Sequence, residues 1–468
     1  MNNLNKEQQE ALNLINSGEN IFLTGNAGTG KSFLLDYYIK NTKDKNILIC
    51  APTGVAALNI GGTTIHRAFK MNLAPQINDY ITSCPDTILE ADIIIIDEIS
   101  MCRIDIFDHI ARVLQYKRIN EHKNTQLIVV GDFFQLPPVI TDKDREILVK
   151  AYPDLDEGYC FKSLLWQDFN FKNIILNEVM RQDDIEFKTN LNKARVGDYS
   201  CIDYFNKRAY KKMDNAICLT ATNKAANEIN KIKLDELDEE PFYFKASIDG
   251  DITEGEFPTD EILELKVGAR VMTIVNDIQN NNYVNGSLGT IIEIDKNKIL
   301  IEFDNDVKAW VDKYDFEYYD YKVIEHTKNG IPMKKLEKIL RGTFRQFPLK
   351  IAYSITMHKS QGQTYDKVQI KPWSRTAGQL YVALSRCKSI NTMGLDYPIS
   401  REYLKVNNKV LRLYNVLYLS EDDKADLINV NKKFINTMTE DIFNSLPDLY
   451  KSYYNKLYSI FYRGEKNE

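Results

Sequence analysis

The chain holds 468 residues, too many for one hydrophobic core, and its length divides into about three domains. Apolar residues at 44 % and charged residues at 27 % exclude wholesale disorder, while a net charge of −6 neither demands nor forbids a polyanionic partner, because such binding depends on a local basic groove. Seven cysteines without a Cys-x-x-Cys pair exclude a disulfide framework and a zinc site; with no apolar signal core and no run of membrane-spanning length, an intracellular, cytoplasmic protein, bacterial or phage-encoded, is expected.

In chain order, the apolar Ile21-Phe22-Leu23 predicts a strand, and Phe33-Leu34-Leu35 predicts the start of a helix. Between them lies Gly25-Asn26-Ala27-Gly28-Thr29-Gly30-Lys31-Ser32, which fits the G-x-x-x-x-G-K-S phosphate loop. Backbone N–H groups from Gly25, Ala27, Gly28, Thr29 and Gly30 turned into one concavity, with a helix N-terminus behind them, suit the phosphates of a nucleoside triphosphate. Lys31 then reaches the β/γ-phosphates and Ser32 ligates Mg²⁺.

Ile47-Leu48-Ile49-Cys50, Ile93-Ile94-Ile95-Ile96 and Leu127-Ile128-Val129-Val130 are continuous apolar runs, which predict parallel strands buried on both faces. Each ends in polar residues: Pro52-Thr53-Gly54, Asp97-Glu98 and Gly131-Asp132. Ligands of open α/β sheets sit at the carboxyl ends of strands, so all three tips belong beside the phosphate loop. There Asp97 suits a role toward Mg²⁺, and Glu98 suits orientation and deprotonation of the attacking water. Gln135, at the tip of the next strand, can hydrogen-bond the γ-phosphate or that water. Charge developing on the γ-phosphoryl group calls for further cations, for which Arg181 and Arg386 are the candidates.

A second α/β pattern opens at Ile217-Cys218-Leu219-Thr220 and resumes at Lys350-Ile351-Ala352-Tyr353, around an alternating β region. The expected divisions are 1–180 for a first ATP-binding domain, 181–263 and 346–400 for two parts of a second, and 264–345 for an inserted β module. Residues 401–468 read as a helical extension, with Tyr450, Tyr453, Tyr454, Leu457 and Phe461 near helical spacing as a packing stripe.

These motifs come in a set order. Leu4-Asn5-Lys6-Glu7-Gln8, the phosphate loop, Ala51-Pro52-Thr53-Gly54-Val55-Ala56-Ala57 and Thr63-Thr64-Ile65-His66 are followed by Asp97-Glu98-Ile99-Ser100-Met101, Gly131 to Val139 and Arg181. Ala221-Thr222-Asn223, Thr356-Met357-His358-Lys359-Ser360-Gln361-Gly362-Gln363-Thr364 and Ser385-Arg386 complete the series. Over about residues 4–400 the chain resembles superfamily-one, class B DNA helicases of the RecD-like group, in particular the Pif (petite integration frequency) family.

The resemblance implies an α/β fold of two RecA-like motor domains with ATP between them, a small SH3-like β-barrel inserted in the second, and 5′-to-3′ movement on single-stranded DNA. Gln8 falls in the adenine-reading motif. Pro52, Thr53, Thr64, His66, Thr222, Asn223, Asn285, Gly286, His358 and Lys359 match DNA-contacting positions, and Phe134 is a candidate base-stacking ring, with core packing as the competing role. Residues 103–126 take the place of the family's signature segment, with Phe107, Ile110, Val113 and Leu114 on one helical face, and Met71 to Tyr80 the place of a strand-separating wedge. Single-stranded DNA and single-/double-strand junctions are the expected partners of a monomer that engages no membrane. Three alternatives remain at this point: an ATP-gated single-strand clamp without unwinding, a small-molecule P-loop kinase, and a Dda- or RecD-like motor of phage replication or recombination.

Overall fold

The computed structural model describes residues 4–418 apart from 73, 78–80, 180–183, 278 and 329–330. Met1–Val406 forms one compact unit; Asn407–Glu468 forms another, of which the helix Asn408–Leu417 is described. Tyr450, Tyr453, Tyr454, Leu457 and Phe461, and with them the expected packing stripe, lie outside the described residues.

Helix α1 (Lys6–Asn16) begins at a capping box in which Asn5 and Gln8 satisfy each other's backbone N–H groups. Strand β1 (Ile21–Gly25) runs through the phosphate loop into α2 (Lys31–Asn41). With β2 (Ile47–Ala51), β3 (Thr63–Thr64), β4 (Ile93–Ile96), β5 (Gln126–Val130) and β6 (Lys172–Leu176) it builds a six-stranded, all-parallel sheet in the order β3-β2-β4-β5-β1-β6. The apolar runs explain why: Ile21, Leu23, Ile93, Ile95, Ile128 and Val130 pack on one face against Ala11 and Ile15 of α1 and Leu34, Leu35 and Tyr38 of α2. On the other face Phe22 meets Phe133 and Trp166, and Trp166 meets Phe107. Helix α3 (Ile104–Asn120) buries Phe107, Ile110, Val113 and Leu114, the helical face expected from the sequence. Because β1 lies between β5 and β6, with β4 beyond β5, the carboxyl tips of β1, β4 and β5 adjoin.

Helix α4 (Ile185–Val196) leads to β7 (Ile217–Thr220) and α5 (Asn223–Asp235). Antiparallel pairing then starts before residue 264: β8 (Phe242–Lys245) pairs with β10 (Ile262–Leu265), and β9 (Ser247–Gly250) joins a hairpin further on. Strands β11 (Arg270–Thr273), β12 (Leu288–Ile294), β13 (Lys298–Phe303) and β14 (Lys308–Asp312) form an antiparallel sheet around Val271, Ile291, Ile301, Phe303 and Val311. The hairpin β15 (Tyr314–Lys328) and β16 (Ile331–Gln346) leaves this small module and lies along the first sheet, where Asp320 accepts from Thr63 Oγ1 at 3.2 Å and Leu336 N–H donates to Asn46 at 3.0 Å. The expected insert therefore holds two parts, a compact antiparallel sheet and a long reaching hairpin. After β17 (Leu349–Ile351), the strands β18 (Ser354–Thr356), β19 (Val368–Ile370) and β20 (Met393–Leu395) complete a second parallel sheet, β18-β7-β19-β20, with α6 (Gln379–Leu384) between β19 and β20 in the chain. Phe187, Leu191 and Ala194 of α4 pack into its core.

The hairpin is fastened by charge. Arg341 Nη2 lies 2.6 Å from Glu256 Oε1, while Arg67, directly after His66, reaches Asp251 at 2.9 Å and Glu256 at 3.5 Å. Burial alone would raise the Glu256 pKa, but hydrogen bonds from Arg341 and Thr253 outweigh it and hold the carboxyl down at about 2. A carboxyl held below its unfolded value contributes stability above the ordinary carboxylate range, and that contribution is lost as pH falls toward 2. Glu256→Gln is expected to destabilise the Met1–Val406 unit by about 3 kcal/mol, because it takes from the mostly buried Arg341 the carboxylate it is paired with, while Arg67 keeps Asp251; the shift of its urea transition at pH 7 measures this.

Candidate functional site

The turn into α2 requires glycine at position 30. Its φ is +81°, and a Cβ there would stand 2.6 Å from Gln8 Nε2, so Gln8 rests directly on the phosphate loop. Thr29 Oγ1 donates to Asn26 O at 3.0 Å, and Lys31 Nζ donates to Gly25 O at 2.9 Å and Asn26 O at 3.0 Å. Burial lowers the Lys31 pKa, against the raising pull of Asp132, Glu98 and Asp97. In this position the amine is folded back onto its own loop.

A cleft of ≈ 380 Å³ opens over the loop. Ala27 to Phe33 line it with Asp97 and Glu98 from the tip of β4, Gly131, Asp132 and Gln135 after β5, and Gly362 and Arg386 from the half of the chain that carries the second sheet. A larger cavity, ≈ 820 Å³, opens at the opposite, amino-terminal edge of the first sheet, beside Asn20, Asp92 and Gln126, away from these tips.

Asp97 and Glu98 sit side by side. Asp97 Oδ1 accepts from the Glu98 N–H at 2.9 Å, and burial raises the Asp97 pKa. Burial, reinforced by the charge of Asp97, pushes Glu98 up to about 7. Glu98 also holds a left-handed backbone (φ 51°, ψ 43°), a costly conformation for a side-chain-bearing residue that aims its carboxylate into the cleft lining.

Arg386 is 1 % exposed and bound to its own half: Nε donates to Val382 O, Nη1 to Ser360 O and Gln363 O, and Nη2 to Ser385 Oγ. Arg181 lies outside the described residues.

Four side chains missed in the sequence tie the halves together here. Gln361 Nε2 donates to Glu98 Oε2 at 2.7 Å and to Gln135 Oε1 at 3.3 Å. Tyr381 Oη accepts from the Ala27 N–H at 3.3 Å, Asn192 from Asn26 at 2.9 Å, and Arg195 forks onto Asp132 at 2.9 and 3.1 Å. Gly378, with φ +73°, packs so closely that a Cβ would stand 2.2 Å from Gln135 O and 2.4 Å from Phe134 O. Gln361 and Tyr381 fall inside recognisable motifs, whereas Arg195 and Asn192 carry no local signal.

Phe134 corrects one expectation. It is 4 % exposed and the Arg195 guanidinium lies 4.3 Å from its ring centre, so the ring packs in the core and offers no open face to a base. Phe133 is buried as well, among Phe22, Tyr159 and Phe161.

Of the other candidate DNA positions, Pro52, Thr53, Thr64, His66, Thr222, Asn223, His358 and Lys359 follow or end strands β2, β3, β7 and β18 of the two parallel sheets, while Asn285 and Gly286 belong to the small module. Thr53, Thr64 and Thr222 each accept a backbone N–H as helix caps, from Ala56, Arg67 and Ala225, which leaves their hydroxyl protons to be donated elsewhere. Pro52 is half-buried before Thr53, and Asn223 is exposed at the start of α5. Burial lowers the pKa of His66, reinforced by Arg103, and of His358, whose Nδ1 is 3.4 Å from Gln379 Nε2. Lys359 is exposed beside it. A second cavity of ≈ 310 Å³ brings Thr64 of the first sheet together with Asn285 of the small module, next to the buried Gly286. Of the Met71 to Tyr80 segment, residues 73 and 78–80 lie outside the described ones; Gln76 N–H donates to Asp105 at 2.7 Å.

Comparison with known proteins follows the same lines. A family model described as PIF1-like helicase matches residues 3–202. The chain is 32 % identical over 441 residues to the ATP-dependent DNA helicase Pif1 of Campylobacter jejuni, covering 85 % of this chain and 94 % of that one. Among solved structures it is similar to Bacteroides sp. Pif1 in complex with ADP-AlF4, with a TM-score of 0.78, 32 % identity, and 89 % and 97 % of the two chains covered. It is also similar to Bacteroides Pif1 in complex with ADP-AlF3 and single-stranded DNA, with a TM-score of 0.61, 33 % identity, and 89 % and 97 % covered.

Proposed function

The chain belongs to the PIF1-like helicase family, and on that footing we propose that it is an ATP-dependent DNA helicase that moves 5′-to-3′ on single-stranded DNA, with ATP taken up in the cleft between its two RecA-like halves. One observation carries the reading: the phosphate loop and the Asp97-Glu98 pair on the first sheet share a cleft with Arg386 from the second.

In this mechanism the loop amides and Lys31 hold the β- and γ-phosphates, and Gln8 takes the adenine edge. Glu98 accepts the proton of the attacking water while Gln135 fixes the water or a γ-phosphate oxygen. Arg386, together with Arg181, neutralises charge that develops on the γ-phosphoryl group. The Ser32 hydroxyl and an Asp97 oxygen are hard donors that would hold a Mg²⁺ arriving with the nucleotide, which would supply neutralisation of phosphate charge. Because the loop and the arginine belong to different halves, binding and loss of the γ-phosphate bias the halves between two arrangements. Thr53, Thr64, Thr222, Asn223, Asn285, His358 and Lys359 then grip DNA phosphates through backbone and small polar groups, without reading sequence.

The test is strand separation with ATP and Mg²⁺ on duplexes bearing a 5′ or a 3′ tail. Displacement of the 5′-tailed duplex, with ATP turnover stimulated by single-stranded DNA, is expected. Turnover without displacement would make the protein a clamp; turnover indifferent to DNA would make it neither.

A further inference from the structure

Glu98 can act as a base only if its carboxylate is held in one orientation, and among the described residues no side chain of its own sheet donates to it. Its Oε2 instead takes a 2.7 Å hydrogen bond from Gln361, which belongs to the other half of the chain. The ionised Glu98 carboxylate settles which end of that amide is which, because its oxygen can only accept, and the same Nε2 then serves Gln135 Oε1. Gln361 is held firmly. Arg386 Nη1 donates to Ser360 O and Gln363 O, each at 3.1 Å, so the guanidinium pins the turn on both sides of Gln361. Gln361 Oε1 is itself buried without a hydrogen-bond partner among the described residues. The same amide thus fixes one Glu98 oxygen and leaves an acceptor for the second hydrogen of a water placed between them.

We propose that Gln361 is a positioning residue for hydrolysis, orienting the Glu98 carboxylate across the interface so that water activation requires the second half, with its arginine, to be in place. This rests on the ATPase reading above and adds a physical reason for the two halves to act together. Arg386 sets the position of the Gln361 turn, and Gln361 sets the position of Glu98.

The experiment measures single-turnover ATP hydrolysis with single-stranded DNA, alongside the Kd of a fluorescent ATP analogue, for the wild type, Gln361→Leu, Glu98→Gln and the double variant. The expected result for Gln361→Leu is a ~10–100-fold lower hydrolysis rate with analogue affinity within about twofold. In the Glu98→Gln background the same change should cost less than about twofold, since the group being oriented is gone. Gln361→Glu keeps the volume but removes the donor, and should match or exceed the leucine defect even if the leucine variant melts early. An equal cost in both backgrounds, or a loss confined to analogue affinity, overturns the proposal. A wild type that binds the analogue and does not hydrolyse ATP overturns the ATPase reading itself.

Discussion

Lys31→Ala is expected to lower ATP turnover by ~10²–10³-fold or more and to abolish strand separation, while leaving the thermal unfolding of the protein almost unchanged. The catalytic loss follows from removing the one cation that the phosphate loop itself supplies. The small effect on stability follows from what the amine does in the structure. Lys31 itself lines the cleft, so once its side chain is removed water can follow into the vacated space and donate to its former partners, Gly25 O and Asn26 O. Phosphate release with saturating DNA measures the first effect and a thermal melt the second; turnover above about a tenth of wild type would contradict the assignment.

Arg386→Ala should combine a catalytic and a structural loss. An arginine that stabilises a phosphoryl-transfer transition state contributes ~10³–10⁵ in rate, and its removal should appear in kcat more than in nucleotide affinity. In contrast to Lys31, this side chain is fully enclosed and donates to three backbone carbonyls and Ser385 Oγ. Leaving these acceptors without a donor costs about 1–3 kcal/mol each before relaxation, so the unit should melt several degrees lower. Arg386→Lys restores a charge but cannot span Val382, Ser360 and Gln363 with one ammonium, and should recover stability only in part. A variant with wild-type kcat would remove Arg386 from the hydrolytic site.

Much of the first sheet was legible because its strands are continuous apolar runs whose tips change abruptly to polar residues, as at Ile96-Asp97 and Val130-Gly131. The phosphate loop, Asp97, Glu98, Gln135 and Arg386 all come from such tips or from ordered motifs, and all line one cleft. The long hairpin was read as part of the small barrel expected over 264–345, because the pattern from Tyr314 to Gln346 does not reveal that the strands outrun their own module and dock on Thr63 and Asn46. Phe134 was misjudged for a related reason. Its cover is Arg195, sixty-one positions away on a helix with no motif, and burial set by a distant side chain leaves no mark on the local sequence. Gln361 lay inside a noted motif, yet only its 2.7 Å approach to Glu98 distinguishes it from the neighbouring polar residues.

The contact at Gly378 bears on how such a machine can stroke. Where main chain abuts main chain at Phe134 and Gln135, no rotamer exists to be squeezed, so the halves cannot come closer at that point. Any further closure of the cleft has to pivot about this contact. Even an alanine methyl inserted there would act as a shim, propping the halves apart beside the very glutamine that faces the fuel.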